Sequence, residues 1–143
     1  MSKIPVQLCI VGKQSYDGQE PDRIELVTEG QMEQRGDVWQ ISYEESALTG
    51  LEGVTSTFRV GPRGVTLRRT GRLTSQMIFQ EGKCHESLYQ MDIGALLISV
   101  CARKIRYDLS ADKPGTVDLV YGIEIESAAA GTVEYHLDVN PVC

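Results

Sequence analysis

Apolar residues return at every second position in one segment after another, and turn residues interrupt them at short intervals. Ile4, Val6, Leu8 and Ile10 share one parity, so residues 4–11 read as a first strand. Residues 13–21 are polar, contain Asp17-Gly18 and read as a loop. Over residues 23–34, Ile24, Leu26 and Thr28 alternate against Glu25, Val27 and Glu29. Arg35-Gly36-Asp37 then turns the chain into residues 38–45, where Trp39, Ile41 and Tyr43 share a face. Period two marks a strand half buried against a core, because successive side chains leave the pleat on opposite sides.

The pattern continues to the C-terminus. Residues 48–53 carry Gly50 and Gly53 and read as a hairpin connection. Val54, Ser56, Phe58 and Val60 alternate up to Gly61-Pro62-Arg63-Gly64, a strong turn signal. Val65, Leu67 and Arg69 share the next parity, ending at Gly71. Residues 76–80 and 83–90 flank Glu81-Gly82 as a further hairpin. Residues 93–107 form the longest and most ambiguous segment: 95–102 could open as a short helix, whereas Cys101, Arg103, Ile105 and Tyr107 alternate as strand. After the turn at Lys113-Pro114-Gly115, Val117, Leu119, Tyr121, Ile123 and Ile125 give five matches in a row. Residues 127–131 then read as the bend before Val133, Tyr135, Leu137 and Val139.

These runs predict an all-β chain of eight to ten strands without a long helix, forming a single domain over residues 1–143. Short sequential connections favour antiparallel neighbours. A meander of this size must deal with its edges, and closure removes them, so the pattern predicts an up-and-down antiparallel barrel over a two-sheet sandwich. A barrel of this size leaves an interior that side chains fill or one small ligand occupies.

Composition narrows the function classes. The chain has 143 residues, 41% hydrophobic and 24% charged, enough to bury a core without metals or disulfides. No run approaches the roughly 18 apolar residues of a membrane helix, and no apolar leader follows Met1, so a cytosolic location is expected. Cys9, Cys84, Cys101 and Cys143 have no C-x-x-C spacing, and in a reducing compartment they are expected as free thiols.

The net charge of −6 is uneven, because residues 53–80 carry Arg59, Arg63, Arg68, Arg69 and Arg72 and no acid. Such a window can meet an anion, but cross-strand pairing with the flanking glutamates is the preferred expectation for most of the five. An overall negative chain is a poor partner for nucleic acid.

Two charges sit on the apolar parity. Glu45 continues the Trp39, Ile41, Tyr43 face, and Arg69 continues the Val65, Leu67 face. An isolated charge on a barrel lining is costly, so each needs a partner. Either the two form a salt bridge closing one barrel end, or Arg69 offers its fork to a ligand carboxylate or phosphate while Glu45 orients it. The salt bridge carries the greater weight. Trp39, Tyr43, Phe58, Tyr121 and Tyr135 share the inward parity and serve either as core or as cavity wall.

Catalytic signatures are sparse. His85-Glu86 opens like the H-E-x-x-H zinc motif, but Tyr89 stands where the second histidine belongs. Cys84 and His85 are adjacent, so in a strand they face opposite sides and form no nucleophile–base pair. His136 lies on the polar parity of the last strand and is expected to be solvated. No catalytic residue, metal or cofactor is assigned.

Several stretches, taken in order, resemble the YwiB-like family of bacterial lipocalin-like proteins. They are Asp22-Arg23-Ile24-Glu25-Leu26-Val27-Thr28-Glu29-Gly30, Tyr43-Glu44-Glu45, Arg69-Thr70-Gly71, Tyr89 with Gly94, and Tyr121-Gly122-Ile123. The resemblance spans nearly the whole chain. It implies a calycin-type barrel, a cytoplasmic bacterial protein and no established activity. It also implies a threonine two residues after Tyr89, where Met91 stands instead without a hydroxyl.

The expectation is therefore a binding barrel rather than an enzyme, taking a small hydrophobic or anionic ligand with no nucleic-acid or membrane partner. Glu45, Arg69, Tyr43, Trp39 and Tyr121 form the candidate ligand set. The alternative is a filled barrel acting through its surface as a structural or interaction module.

Overall fold

The computed structural model describes residues 3–15, 22–45, 52–71, 74–91, 94–125 and 128–141, without the side chains of residues 22, 87–96 and 128–130. Ten strands account for most of these: β1 (Ile4–Ser15), β2 (Asp22–Arg35), β3 (Val38–Glu44), β4 (Val54–Gly61), β5 (Gly64–Gly71), β6 (Ser75–Phe79), β7 (Cys84–Met91), β8 (Gly94–Asp108), β9 (Gly115–Ile125) and β10 (Ala128–Pro141). They form one antiparallel sheet in the order β6-β5-β4-β3-β2-β1-β10-β9-β8-β7. Apart from β6 and β7, consecutive strands pair with each other, and the first strand pairs with the last. The sole break in the ladder falls between β6 and β7, in mid-chain, so the barrel is nearly closed and carries a seam there.

Closure follows from the alternation. In β1, Val6, Leu8 and Ile10 are buried while Pro5 and Gln7 are exposed. Ile10 stands opposite Leu26 on one side and Leu137 on the other. Leu8, Ile41, Phe58, Val65, Val117 and Leu137 continue this lining around the interior. Gly36 (φ 63°) lets a two-residue turn join β2 to β3, where an L side chain would be strained.

The expected strands are present with four corrections. Lys13–Ser15 extend β1 instead of opening the loop, because β1 keeps both neighbours that far: Lys13 pairs with Arg23 and with Glu134. Residues 95–102 are strand throughout, since β7 and β9 both pair with β8 and supply ladder partners that a helix would forfeit. Residues 128–131 belong to β10, where an irregularity at Ala130 absorbs the bend expected there. A bulge at Arg103 resets the parity of β8, so Cys101 and Arg103 do not share a face with Ile105 and Tyr107. Most of the connection at 48–53 lies outside the described residues.

The cysteines also differ from expectation. Cys84 and Cys101 are cross-strand partners in β7 and β8, with Cα atoms 4.0 Å apart, and they are joined by a disulfide. Register brings them together across 17 residues of sequence. Cys9 remains a free thiol, and Cys143 lies outside the described residues. The bridge ties down β7, which has only β8 as a ladder partner. The turn beside it is pinned as well: His85 Nε2–H donates to Gln80 Oε1 at 2.8 Å, Gln80 donates onward to the Arg63 carbonyl at 3.3 Å, and Arg106 meets Glu81 at 3.3 Å.

Candidate functional site

One cross-strand row on the inner face carries most of the interior polarity. It runs Gly30, Tyr43, Ser56, Arg69, Ser75 across β2 to β6, each residue in register with the next. Large and small side chains alternate along it. Gly30 is required on steric grounds, since a Cβ there would lie 2.5 Å from the Ser42 carbonyl oxygen and 2.9 Å from Leu8 Cδ1. Ser56 and Ser75, both buried, flank Arg69 and leave space for its guanidinium.

Arg69 is the one lysine or arginine among the described residues that is not exposed. Its Nε is buried and has no hydrogen-bond partner among the described residues. Glu45, 7% exposed, lies one step beyond Tyr43 and accepts a hydrogen bond from Ser56 Oγ at 2.7 Å. The expected Glu45–Arg69 salt bridge does not form. Ser56 stands between the two, as the register partner of Arg69 and the hydrogen-bond donor to Glu45.

Three tyrosine rings complete the surroundings. Tyr43 and Tyr135 meet across the lumen, hydroxyl to hydroxyl, at 3.1 Å. Phe58 packs beside both, with centroids 6.5 Å from Tyr43 and 5.6 Å from Tyr135. Tyr121 packs on Phe79 with centroids 4.6 Å apart. Small residues again make room: Gly12 stands opposite Tyr135, and Ala102 opposite Tyr121.

Burial is the main cause that pushes the Tyr43 hydroxyl up to about 12, with the Glu45 charge adding and Arg69 opposing. Burial likewise holds Tyr121 and Tyr135 above the usual tyrosine range, and the Arg69 charge acts downward on each. All three hydroxyls therefore keep their protons at neutral pH and remain donors.

Of the candidate set, Arg69, Glu45, Tyr43 and Tyr121 are thus brought into one electrostatic neighbourhood. Trp39 is not. It lies four residues from Tyr43 along β3, about 13 Å away at the usual strand rise, in a row with Val60, Val65 and Phe79. Ser56, Ser75 and Tyr135 belong to the site and were missing from the expected set. Their signal was faint: a small polar residue on an inward parity, and an aromatic that parity alone assigns equally to core or wall.

Residues 9–137 match the family described as Domain of unknown function (DUF1934). The chain belongs to that family. The crystal structure of ywiB protein from Bacillus subtilis matches this DUF1934 protein with a TM-score of 0.87 at 20% identity, over 99% of this chain and 94% of that one. At that identity the likeness shows the fold, a lipocalin-like barrel. No curated protein is significantly similar.

Elsewhere on the DUF1934 barrel, His136 is more engaged than expected, bridging Asp118 Oδ1 at 2.5 Å and Asp138 Oδ1 at 3.0 Å on the outer face. It lines an open concavity of about 350 Å3 together with Lys13, Lys104 and Glu134. A second open concavity of about 850 Å3 borders the site itself: Gly30, Tyr43 and Glu45 line it together with outward residues that include Glu29, Gln31, Ser42, Glu44 and Thr55. Arg69 lines neither. Arg59, Arg63 and Arg68 are exposed and, among the described residues, form none of the expected pairs with glutamates. Arg59 stands opposite Gln40 and Thr66, and Arg68 opposite Thr57 and Gln76, so their cross-strand neighbours are neutral. Arg72 lies outside the described residues. No cluster of metal-binding side chains occurs among the described residues.

Proposed function

We propose that this barrel binds a small organic anion in its interior, anchored by Arg69, with Tyr43 and Tyr121 on the wall and Glu45 fixing the polar end. The observation that carries this reading is the buried Arg69 Nε, which has no hydrogen-bond partner among the described residues. A buried donor without an acceptor is destabilising, and an anionic ligand would satisfy it. Trp39 is dropped from the ligand set because it lies in a different row. The test is thermal melting of wild type and Arg69→Met against a panel of carboxylates and phosphates. A ligand that binds the folded state raises its Tm, and the rise should vanish in the variant.

The filled-barrel reading has one observation in its favour, the Tyr43–Tyr135 contact across the lumen. It requires that no compound raise the Tm through Arg69. On either reading the partner is proposed to be something other than nucleic acid or membrane, in keeping with the negative net charge.

A further inference from the structure

We propose that the outer face of β4, β5 and β6 is a docking surface for an acidic, extended segment of another protein, engaged by Arg59, Arg63 and Arg68. The surface is separate from the interior row, because Arg68 and Arg69 are consecutive and leave the strand on opposite faces. These arginines stand out by what they lack. All three are exposed, and their guanidinium groups have no ion pair or hydrogen bond among the described residues. The other described arginines of the outer surface are all engaged. Arg23 meets Glu25, Arg35 meets Glu33 at 3.1 Å, Arg106 meets Glu81 at 3.3 Å, and Arg103 donates to Thr132 Oγ1 at 3.2 Å.

The face itself offers no acid. Apart from Arg59 and Arg68, the outward positions of its strands are threonines, Gln76 and Ile78. No Asp or Glu occurs in residues 53–80, which contain all three strands. Register also brings the like charges together. Arg59 stands opposite Thr66 and Arg68 opposite Thr57, so the two are diagonal neighbours about 7–8 Å apart. That is about one Debye length at physiological salt, so their repulsion is felt, and nothing in the sheet offsets it. Arg63, in the turn from β4 to β5, adds a third positive charge beside Arg59. An acidic partner would turn this repulsion into attraction.

The extent of the patch selects among anionic partners. A second copy of this chain laid symmetrically on the face would set arginine against arginine. A nucleic acid carries its charge continuously, and three strands span only about 10 Å. It would run onto Glu44 of β3 and Glu86 of β7, both exposed. The face also presents no aromatic ring on which a base could stack. A short extended peptide fits within the patch. Its carboxylates on alternate residues lie about 6.6 Å apart, within reach of both guanidinium groups, and the threonine hydroxyls can bond its polar groups.

The experiment measures fluorescence anisotropy of labelled peptides of alternating Glu-Ser, Gln-Ser and Lys-Ser, and of labelled oligothymidylate. The proteins are wild type, Arg59→Gln with Arg68→Gln, and a control of equal charge, Lys3→Gln with Arg23→Gln, at two exposed positions off the face. At about 50 mM salt, wild type should bind the Glu-Ser peptide at least about tenfold more tightly than any other probe, and most of that binding should be lost by about 300 mM. The Arg59 and Arg68 double variant should lose at least about tenfold, the scale of a charge-assisted bond, and the control less than about threefold. In 15N-labelled wild type, the amide shifts caused by the peptide should gather on β4 and β5, a readout that needs no variant.

If the Glu-Ser peptide fails to bind wild type, or if both double variants lose equally, the docking surface is refuted. Oligothymidylate binding through Arg59 and Arg68 that matches or exceeds the peptide would overturn the choice of an acidic protein segment. So would self-association of wild type in sedimentation at low salt that Arg59→Gln with Arg68→Gln abolishes, since the occupant would then be a second copy.

Discussion

Two rows of the same four strands show how one ladder serves two purposes. Trp39, Val60, Val65 and Phe79 stand in register across β3 to β6, all apolar and all at most 8% exposed. Four residues along the same strands, Tyr43, Ser56, Arg69 and Ser75 stand in the same register. The backbone hydrogen bonds are equivalent in the two rows, so the contrast lies in the side chains. The first row fills its layer with apolar volume, as barrels of this size do. The second alternates large and small, keeps a charge, and leaves a buried donor unmatched. The first row is packed apolar volume, and the second is the row to which we assign the proposed anion site.

The largest expected effect tests the first row. Phe79→Ala removes a ring that is 1% exposed and packed on Tyr121, and should lower unfolding stability by about 3–5 kcal/mol in urea titration. A loss under about 1 kcal/mol would mean that this row is not the packed layer. Next comes the Cys84–Cys101 bridge, which holds β7 where both rows stop at the seam. Closing a loop of this length restrains the unfolded chain by about 3 kcal/mol. Cys84→Ala with Cys101→Ala should therefore lower stability by an amount of that order, and wild type in excess reductant should behave alike. If reductant leaves the melt unchanged, the bridge is absent in solution.

Arg69→Met should cost far less than a core substitution. A salt bridge with Glu45 would make the loss of Arg69 cost about 3–5 kcal/mol by stranding a buried charge. Ser56 holds Glu45 instead, and Arg69 Nε is unmatched. Exchanging that donor for an apolar side chain of similar length should change stability by less than about 1 kcal/mol in either direction. A loss above 3 kcal/mol would restore the ion pair and remove the distinction between the rows.

Much of this was legible in the sequence, for identifiable reasons. Strands β4 and β5 were readable because Gly61-Pro62-Arg63-Gly64 punctuates two clean alternations. Glu45 and Arg69 were readable as lining because parity is a local property. What parity could not give is register, which depends on partners far along the chain. Register decides that Ser56 separates Glu45 from Arg69, that Cys84 meets Cys101, and that Trp39 belongs to the other row. The Arg103 bulge inverts parity within β8, and no residue there announces it. A better reading would have weighed the small inward residues Gly12, Gly30, Ser56 and Ala102, each of which faces a large side chain of the site.

The smallest expected effect lies outside both rows and serves as their control. On the outer face, the hydrogen bond that His136 donates to Asp118 raises its pKa above 6.5, partial burial opposes the rise, and the bond to Asp138 adds to it. Lys13, Lys104 and Glu134 line the same concavity and contribute charges of both signs. With the folded value above the unfolded one, this pairing stabilises fully below about pH 6.5 and fades as pH rises through the folded pKa. The imidazole is 38% exposed, so solvent screening should keep the contribution below about 1 kcal/mol. Melting curves of wild type and His136→Gln should therefore differ most near pH 6 and converge by about pH 9, where an imidazole with a pKa in the usual range is neutral. The Arg69-dependent ligand shift should be the same in both proteins, because successive side chains of a strand leave on opposite faces and His136 is on the outer one. A ligand shift that moves with His136 would tie the two faces together.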